Sequence, residues 1–152
     1  MRRFEIARGF ENRGIILPTR ATAGSAGYDI RVLTPDNKPV EIMPNESYIF
    51  DTGIKVCMEK DEMLNVYIRS SVGIKKHLIL SNCVAVIDSD FYNNMDNDGH
   101  IRFGVTNISN VVQVIENNER IAQGVFVKYL VTDVDNADDV RIGGIGSTDL
   151  AA

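Results

Sequence analysis

Residues 82–94 read Asn82, Cys83, Val84, Ala85, Val86, Ile87, Asp88, Ser89, Asp90, Phe91, Tyr92, Asn93, Asn94. The apolar run 84–87 is rich in β-branched side chains, which suit a half-buried pleated strand, and it delivers Asp88 at its end. Ser89, Asp90 and Asn93 then offer side chains that bond neighbouring backbone, the chemistry of a turn. The stretch therefore predicts a β-hairpin carrying a carboxylate. An ordinary surface turn has the same appearance, so any chemistry at Asp88 depends on what the rest of the chain places beside it.

Outward from this stretch, short apolar runs alternate with polar breaks. Upstream, Ile15, Ile16 and Leu17 form a predicted strand stopped by Pro18. Small residues at 23–26 lead into a strand near Tyr28, and Pro35, Asp36, Asn37 and Pro39 mark a turn. Val40 and Ile42, then 48–50, then the strictly alternating Ile54, Val56 and Met58 have period two. After a polar break at 61–65 comes a strand at 66–68, and downstream lie strands at 78–80, 101–108, 111–115 and 124–131. Ser70–Lys76 reads as a two-turn helix with serine at its N-cap and lysines at its C-terminal end, weakened by Gly73. Strands this closely spaced predict an all-β, antiparallel sandwich or barrel with one short helix, not βαβ units.

The chain's 152 residues suit one domain with a sizeable core, and 44% hydrophobic and 24% charged residues suit a soluble globular protein. A formal net charge of -5 argues against stable nucleic-acid binding, which needs a basic surface. A small phosphorylated ligand needs only a few placed cations and amides. Cys57 and Cys83 lack metal-ligand spacing and read as reduced core residues. No segment reaches membrane-spanning length, and the expected location is cytoplasmic. The expected organisation is a β-domain over residues 1–132 and a polar, glycine-rich arm over 133–152.

Five short clusters, at 27–30, 69–73, 82–91, 120–123 and 141–148, hold the residue types that bind phosphate or metal-bound water. In that order and approximate spacing, the chain from 26 to 148 resembles the homotrimeric dUTPase family, of bacterial or phage type. The resemblance implies a jelly-roll-like distorted β-barrel and a homotrimer with shared active sites. It also implies hydrolysis of dUTP to dUMP and pyrophosphate with Mg2+, by water attack on the α-phosphate.

Residue by residue, the resemblance makes Asp29 an indirect metal ligand, acting through water. Such a role suits magnesium, which holds on to its waters. Arg69, Ser70 and Ser71 would contact phosphates. Asn82 and the strand around Val86 and Ile87 would read uracil, Asp88 would be the general base, and Phe91 would stack under the deoxyribose where a 2′-hydroxyl would clash. An aspartate is ionised at neutral pH and accepts a water proton weakly, so positioning must carry much of the rate. Gln123 would reach the phosphates. Arg141, Ile145, Gly146, Ser147 and Thr148 would belong to an arm closing over the nucleotide. Arg120 is read as a structural ion pair, Asp90 as structural, and His77 as a surface or packing histidine.

The chain departs from the family pattern in four places. Ile145 stands where an aromatic is usual, Asp149 where glycine is typical, and Ala85 where glycine is common; Arg141 is one residue nearer the glycine pair. Residues 92–99 form a longer connection than usual. Two alternatives accompany this reading. A dCTP deaminase of the same fold would need a glutamate at 101–108, and none is there. A phage-type regulator would bind a protein partner, with 92–99 as the candidate surface.

Overall fold

The computed structural model describes residues 1–144. Among the described residues, twelve strands and one α-helix follow one another. The strands are β1 (Arg3–Ile6), β2 (Thr19–Arg20), β3 (Tyr28–Arg31), β4 (Val40–Ile42), β5 (Ser47–Asp51), β6 (Ile54–Cys57) and β7 (Glu62–Ile68). After α1 (Ser70–Lys76) come β8 (Leu78–Leu80), β9 (Ala85–Asp88), β10 (Arg102–Asn107), β11 (Gln113–Ile115) and β12 (Arg120–Lys128). Every ladder is antiparallel, in sheets ordered β2-β3-β12-β7-β9, β5-β10-β8, β11-β4 and β1-β6. The fold is all-β and jelly-roll-like.

One apolar cluster joins the sheets, with Ile30, Ile42, Phe50, Ile54, Leu64, Leu80, Val105 and Ile121 at its centre. The period-two pattern produces it: in β6, Ile54 and Val56 are buried while Lys55 and Cys57 are half-buried. In β7 the alternation runs from Glu62 to Val66. Asn107 ties two sheets together. It is fully buried, and its amide donates to Ile42 O and Val111 O, both at 2.8 Å, which satisfies groups that burial would otherwise leave unpaired.

Four local expectations are corrected. Residues 15–17 form no strand; β2 begins beyond Pro18 at Thr19. The N-cap of α1 is Arg69, with Ser70 the first helical residue and no side-chain cap. β7 starts at Glu62, inside the expected break, because Arg2 pairs with that carboxylate and allows it to be 2% exposed. Cys57 is half-buried and Cys83 exposed in a turn, so neither is a core residue, though both are free. His77 lies on the surface, ending α1 with φ 51°. No helix among the described residues is long and apolar enough to cross a membrane.

Candidate active site

The first group of predicted residues gathers where β3, β12 and the start of α1 meet. A bulge in β12 between Arg120 and Ala122 puts two consecutive residues, Ile121 and Ala122, into the core. Arg120 and Gln123 are thereby both turned outward, and Gln123 lies directly opposite Asp29. Asp29 then holds two arginines: Oδ1 pairs with Arg69 Nε at 2.9 Å, and Oδ2 accepts Arg120 Nη1 at 3.0 Å. Arg69 Nη1 also donates to Arg120 O at 3.1 Å. The structural ion pair expected of Arg120 is present.

Gly27 belongs to this group for a steric reason. A Cβ at that position would stand 2.3 Å from Gln123 Oε1 and 3.2 Å from Gln123 Cβ, so only glycine leaves that amide in place. Ser70 and Ser71 are exposed in the first turn of α1, where amides have no intrahelical acceptor. Lys76 is excluded from the group, since its Nζ bonds Glu119 Oε1 at 2.6 Å and Val114 O at 2.9 Å.

The second group lies at the far end of β9. Here the hairpin expectation is corrected: β10, the strand beyond the predicted turn at 89–93, pairs with β5 and β8 in another sheet, and β9 pairs with β7, not with its predecessor β8. The turn between β8 and β9 is tight, with Cys83 N donating to Leu80 O at 2.9 Å and Val84 N to Asn82 O at 2.7 Å. Asn82 is exposed in this turn. Leu78 and Leu80 each fill the core from one sheet and Ala85 and Ile87 from the other, which separates the strands. β9 is consequently a sheet edge, with Val86 and Asp88 on its outer face and Ile87 buried.

Asp88 opens into a cleft of about 720 Å³ whose walls include Met58, Lys60, Asp90, Tyr129 and Arg141. Arg141 bridges the two carboxylates, donating from Nη2 to Asp88 Oδ2 at 2.5 Å and from Nε to Asp90 Oδ1 at 2.7 Å. Phe91 is half-buried beside Gly144. Residues 92–99 turn on Asn94, which is 7% exposed. Its Oδ1 accepts from Asp96 N and Asn97 N, and its Nδ2 donates to Phe91 O at 2.8 Å. Composition does not separate Asn94 from Asn93; burial does. Ile145, Gly146, Ser147 and Thr148 lie outside the described residues.

The two groups occupy the same outer face of the five-stranded sheet but opposite ends of it. Gln123 faces Tyr67 across one ladder, while Asp88 faces Met63, four residues along the same strand β7. At about 3.3 Å per residue and about 4.8 Å per strand, Gln123 and Asp88 are separated by roughly 16 Å. One chain thus presents an arginine-rich half around Asp29 and a carboxylate half around Asp88 that do not meet.

For a metal, the described residues contain no group of three or more His, Cys, Asp or Glu. Asp29, 12% exposed with both oxygens already on arginines, does not build a cation cage with neighbours. Its remaining lone pairs suit the waters of a hydrated ion brought in on a ligand.

The dUTPase family model matches residues 13–148. The chain is 43% identical over 150 residues to deoxyuridine 5'-triphosphate nucleotidohydrolase of Lactococcus lactis, covering 97% of each protein. The crystal structure of dUTPase from Streptococcus mutans is similar with TM-score 0.75 and 39% identity, over 86% of this chain and 98% of that one. A single-site variant of dUTPase from phage phi11 of S. aureus, described as coordinating a structural Mg(II) ion, shares the fold. Its TM-score is 0.67 at 17% identity, over 91% of this chain and 97% of that one. With five ordered clusters, an all-β framework and these relatives, the chain belongs to the dUTPase family.

Proposed function

We infer that this protein is a dUTP diphosphatase: it hydrolyses dUTP to dUMP and pyrophosphate. A water oxygen attacks the α-phosphorus, the bond from that phosphorus to the bridging α,β-oxygen breaks, pyrophosphate leaves, and the water's proton passes to a base. The observation that carries the assignment of roles is the shared outer face, with Asp29, Arg69 and Gln123 at one end and Asp88 at the other. Asp88 is the only carboxylate in the β9 strand, on an open edge where backbone groups of 84–87 are free of a second ladder. It accepts the water's proton. Arg69 and Gln123, with the exposed Ser70 and Ser71, bind the phosphate oxygens, since a guanidinium and first-turn amides match that geometry.

Base recognition falls to Asn82 and the edge of β9. A fixed set of edge donors and acceptors leaves a wrong base with unpaired buried groups, which is a large penalty. Phe91 takes the sugar. Mg2+ would supply neutralisation of the triphosphate charge, and Asp29 would hold such an ion indirectly by accepting hydrogen bonds from its waters.

The separation of the two halves supports a homotrimer with shared sites. In a closed ring each copy uses one surface against a different surface of the next, so the carboxylate half of one chain meets the anion-binding half of its neighbour. Residues 133–152 act as the closing arm of the 1–132 domain, and the protein works in the cytoplasm. β10 contains no glutamate, so deamination is not favoured. The loop at 92–99 exposes Met95 at 87%, a surface compatible with a regulatory protein partner but not needed for hydrolysis.

Pyrophosphate release from dUTP, dCTP, dTTP and UTP, for wild type and Asp88→Asn, tests this function. The expected result is turnover of dUTP alone and loss of at least a hundredfold in Asp88→Asn, in line with removal of a general base. Full activity in that variant would remove Asp88 from the mechanism, and equal turnover of UTP would remove Phe91 as the sugar check.

A further inference from the structure

Lys60 has no part in the reaction above, yet it stands in the wall of the Asp88 cleft. The ladder between β7 and β9 puts it there. Met63 lies opposite Asp88, so the turn leading into β7, closed by Glu62 N donating to Glu59 O at 3.1 Å, sits just beyond the end of β9. Two side chains hold this turn at the cleft. Tyr129 donates from its hydroxyl to Lys60 O at 2.8 Å, and Ser89, the residue after Asp88, donates from Oγ to the same oxygen at 3.4 Å. The backbone of Lys60 is thereby fixed, while its side chain, a compact charge on a four-carbon stem, is exposed.

Charge separates Lys60 from its neighbours. The other cations around this turn are each committed to a carboxylate: the Met1 ammonium to Glu59, Arg2 to Glu62, and Lys128 Nζ to Asp61 Oδ2 at 2.6 Å. Arg141, the other cation in the cleft wall, is spent on Asp88 and Asp90. Lys60 makes no ion pair among the described residues. The remaining charged walls of the cleft are the carboxylates Asp88, Asp90, Asp138 and Asp139. A triphosphate entering this half therefore meets a negative field and one uncommitted ammonium that can turn towards it.

We propose that Lys60 is a substrate-binding residue of the carboxylate half, its ammonium contacting the α-phosphate of dUTP. This rests on the reading of Asp88 as the base. Water activated by Asp88 attacks the α-phosphorus, so the α-phosphate is the one that lies beside Asp88 and within the swing of Lys60. The contact offsets the repulsion that the surrounding carboxylates exert on that phosphate. Arg69 remains with the far end of the triphosphate.

The test uses the full chain and two ligands that are not turned over: dUMP, whose single phosphate is the α-phosphate, and deoxyuridine, which has none. Binding of each is followed by ligand-detected NMR, and dUTP turnover is measured alongside at low and high salt. Lys60→Ala is expected to weaken dUMP about fivefold, the upper end for an exposed charge pair, to leave deoxyuridine within twofold, and to raise KM for dUTP by a similar factor. Added salt should shrink the difference. Lys60→Arg should restore most of the binding, and Lys60→Glu should lose more than Lys60→Ala. Lys128→Ala, which removes a nearby lysine already paired with Asp61, should change neither ligand. Unchanged dUMP affinity in Lys60→Ala would overturn the proposal, as would an equal loss for deoxyuridine. Affinity for dUMP is read without turnover, so failure of the Lys60 contact and failure of Asp88 as the base appear in different measurements.

Discussion

Asp29 Oδ1 and Arg69 Nε lie 2.9 Å apart, and the other oxygen of the same carboxylate is taken by Arg120 at 3.0 Å. Arg69 is therefore not a free surface cation: its direction is fixed by a carboxylate that is itself held from the far side. Two guanidiniums on one carboxylate leave a net positive charge, already oriented and with little left to lose in side-chain freedom, which is what the proposed phosphate contact needs.

This predicts that Arg120→Ala weakens substrate binding without touching substrate. Asp29 and Arg69 lose their fixed geometry, and KM for dUTP should rise about three- to tenfold, the net scale of one ordinary hydrogen bond, because the charge pair itself is part-exposed, with kcat little changed. Steady-state kinetics check it. Arg120→Lys should recover only part of the effect, because a flexible ammonium holds Asp29 as a point charge without the fixed direction of a planar guanidinium. A fall in kcat at constant KM would show instead that Arg120 acts on the transition state.

Gly27→Ala tests the placement of Gln123. The added methyl would collide with the Gln123 side chain along its length, at Oε1, Cδ and Cβ. The far end of a glutamine can swing away, so the fold should survive with a nearly unchanged melting temperature, while the amide leaves the position opposite Asp29. The expected outcome is a several-fold rise in KM matched by Gln123→Ala, with the double variant no worse than either alone. Additive losses would separate the two residues.

Parts of this arrangement are written locally and parts are not. Strand positions, the helix Ser70–Lys76 and the order of the five clusters follow from period-two patterning, turn residues and side-chain chemistry, all readable within a few residues. The Asp29 to Arg120 pair is not local, because a bulge in β12 decides which way Arg120 and Gln123 turn, and bulges depend on the partner strand. The same holds for β9. Its run 84–87 reads as one arm of a hairpin, but β10, the strand beyond the turn, lies in another sheet, and the ladder forms with β7 instead. Glu62 looks like a break residue until Arg2, sixty residues away, neutralises it.

His100 predicts a loss of stability on mild acidification. It is 7% exposed, and its Nε2 accepts from Gly53 N at 3.0 Å and more weakly from Thr52 N at 3.4 Å, while Phe10 packs on the ring at 4.3 Å. A protonated imidazole would have no lone pair for those amides. Burial pushes its pKa down, with Asp51 opposing and Arg102 adding to the shift. The unfolded chain therefore binds this proton more readily than the fold, and the contribution is complete above about pH 6.5 and lost as pH falls below it. Glu5, held below the usual carboxylate range by Arg3 and then Tyr92, loses its contribution only near pH 4, so the two windows are distinct. Melting temperatures from pH 8 to pH 5 should show a fall setting in below about pH 6.5 that is absent in His100→Gln. A fall of equal size in that variant would assign it elsewhere.

The roughly 16 Å between Gln123 and Asp88 within one chain predicts complementation between inactive variants. Arg69→Ala keeps Asp88 and loses the anion-binding half; Asp88→Asn keeps the anion-binding half and loses the base. Each homotrimer should be inactive. If each site takes Asp88 from one copy and Arg69 from the next, random co-assembly of equal amounts makes a site whole when the first copy carries Arg69→Ala and the second Asp88→Asn. That happens in about one site in four for a closed ring. Denaturing the two variants together and refolding them should therefore restore about a quarter of wild-type pyrophosphate release, while mixing them folded should restore little until subunits exchange. A site built within one chain would regain nothing, since every chain in the mixture carries a lesion, and the outer face of the five-stranded sheet would then have to close on itself to bring its two ends together.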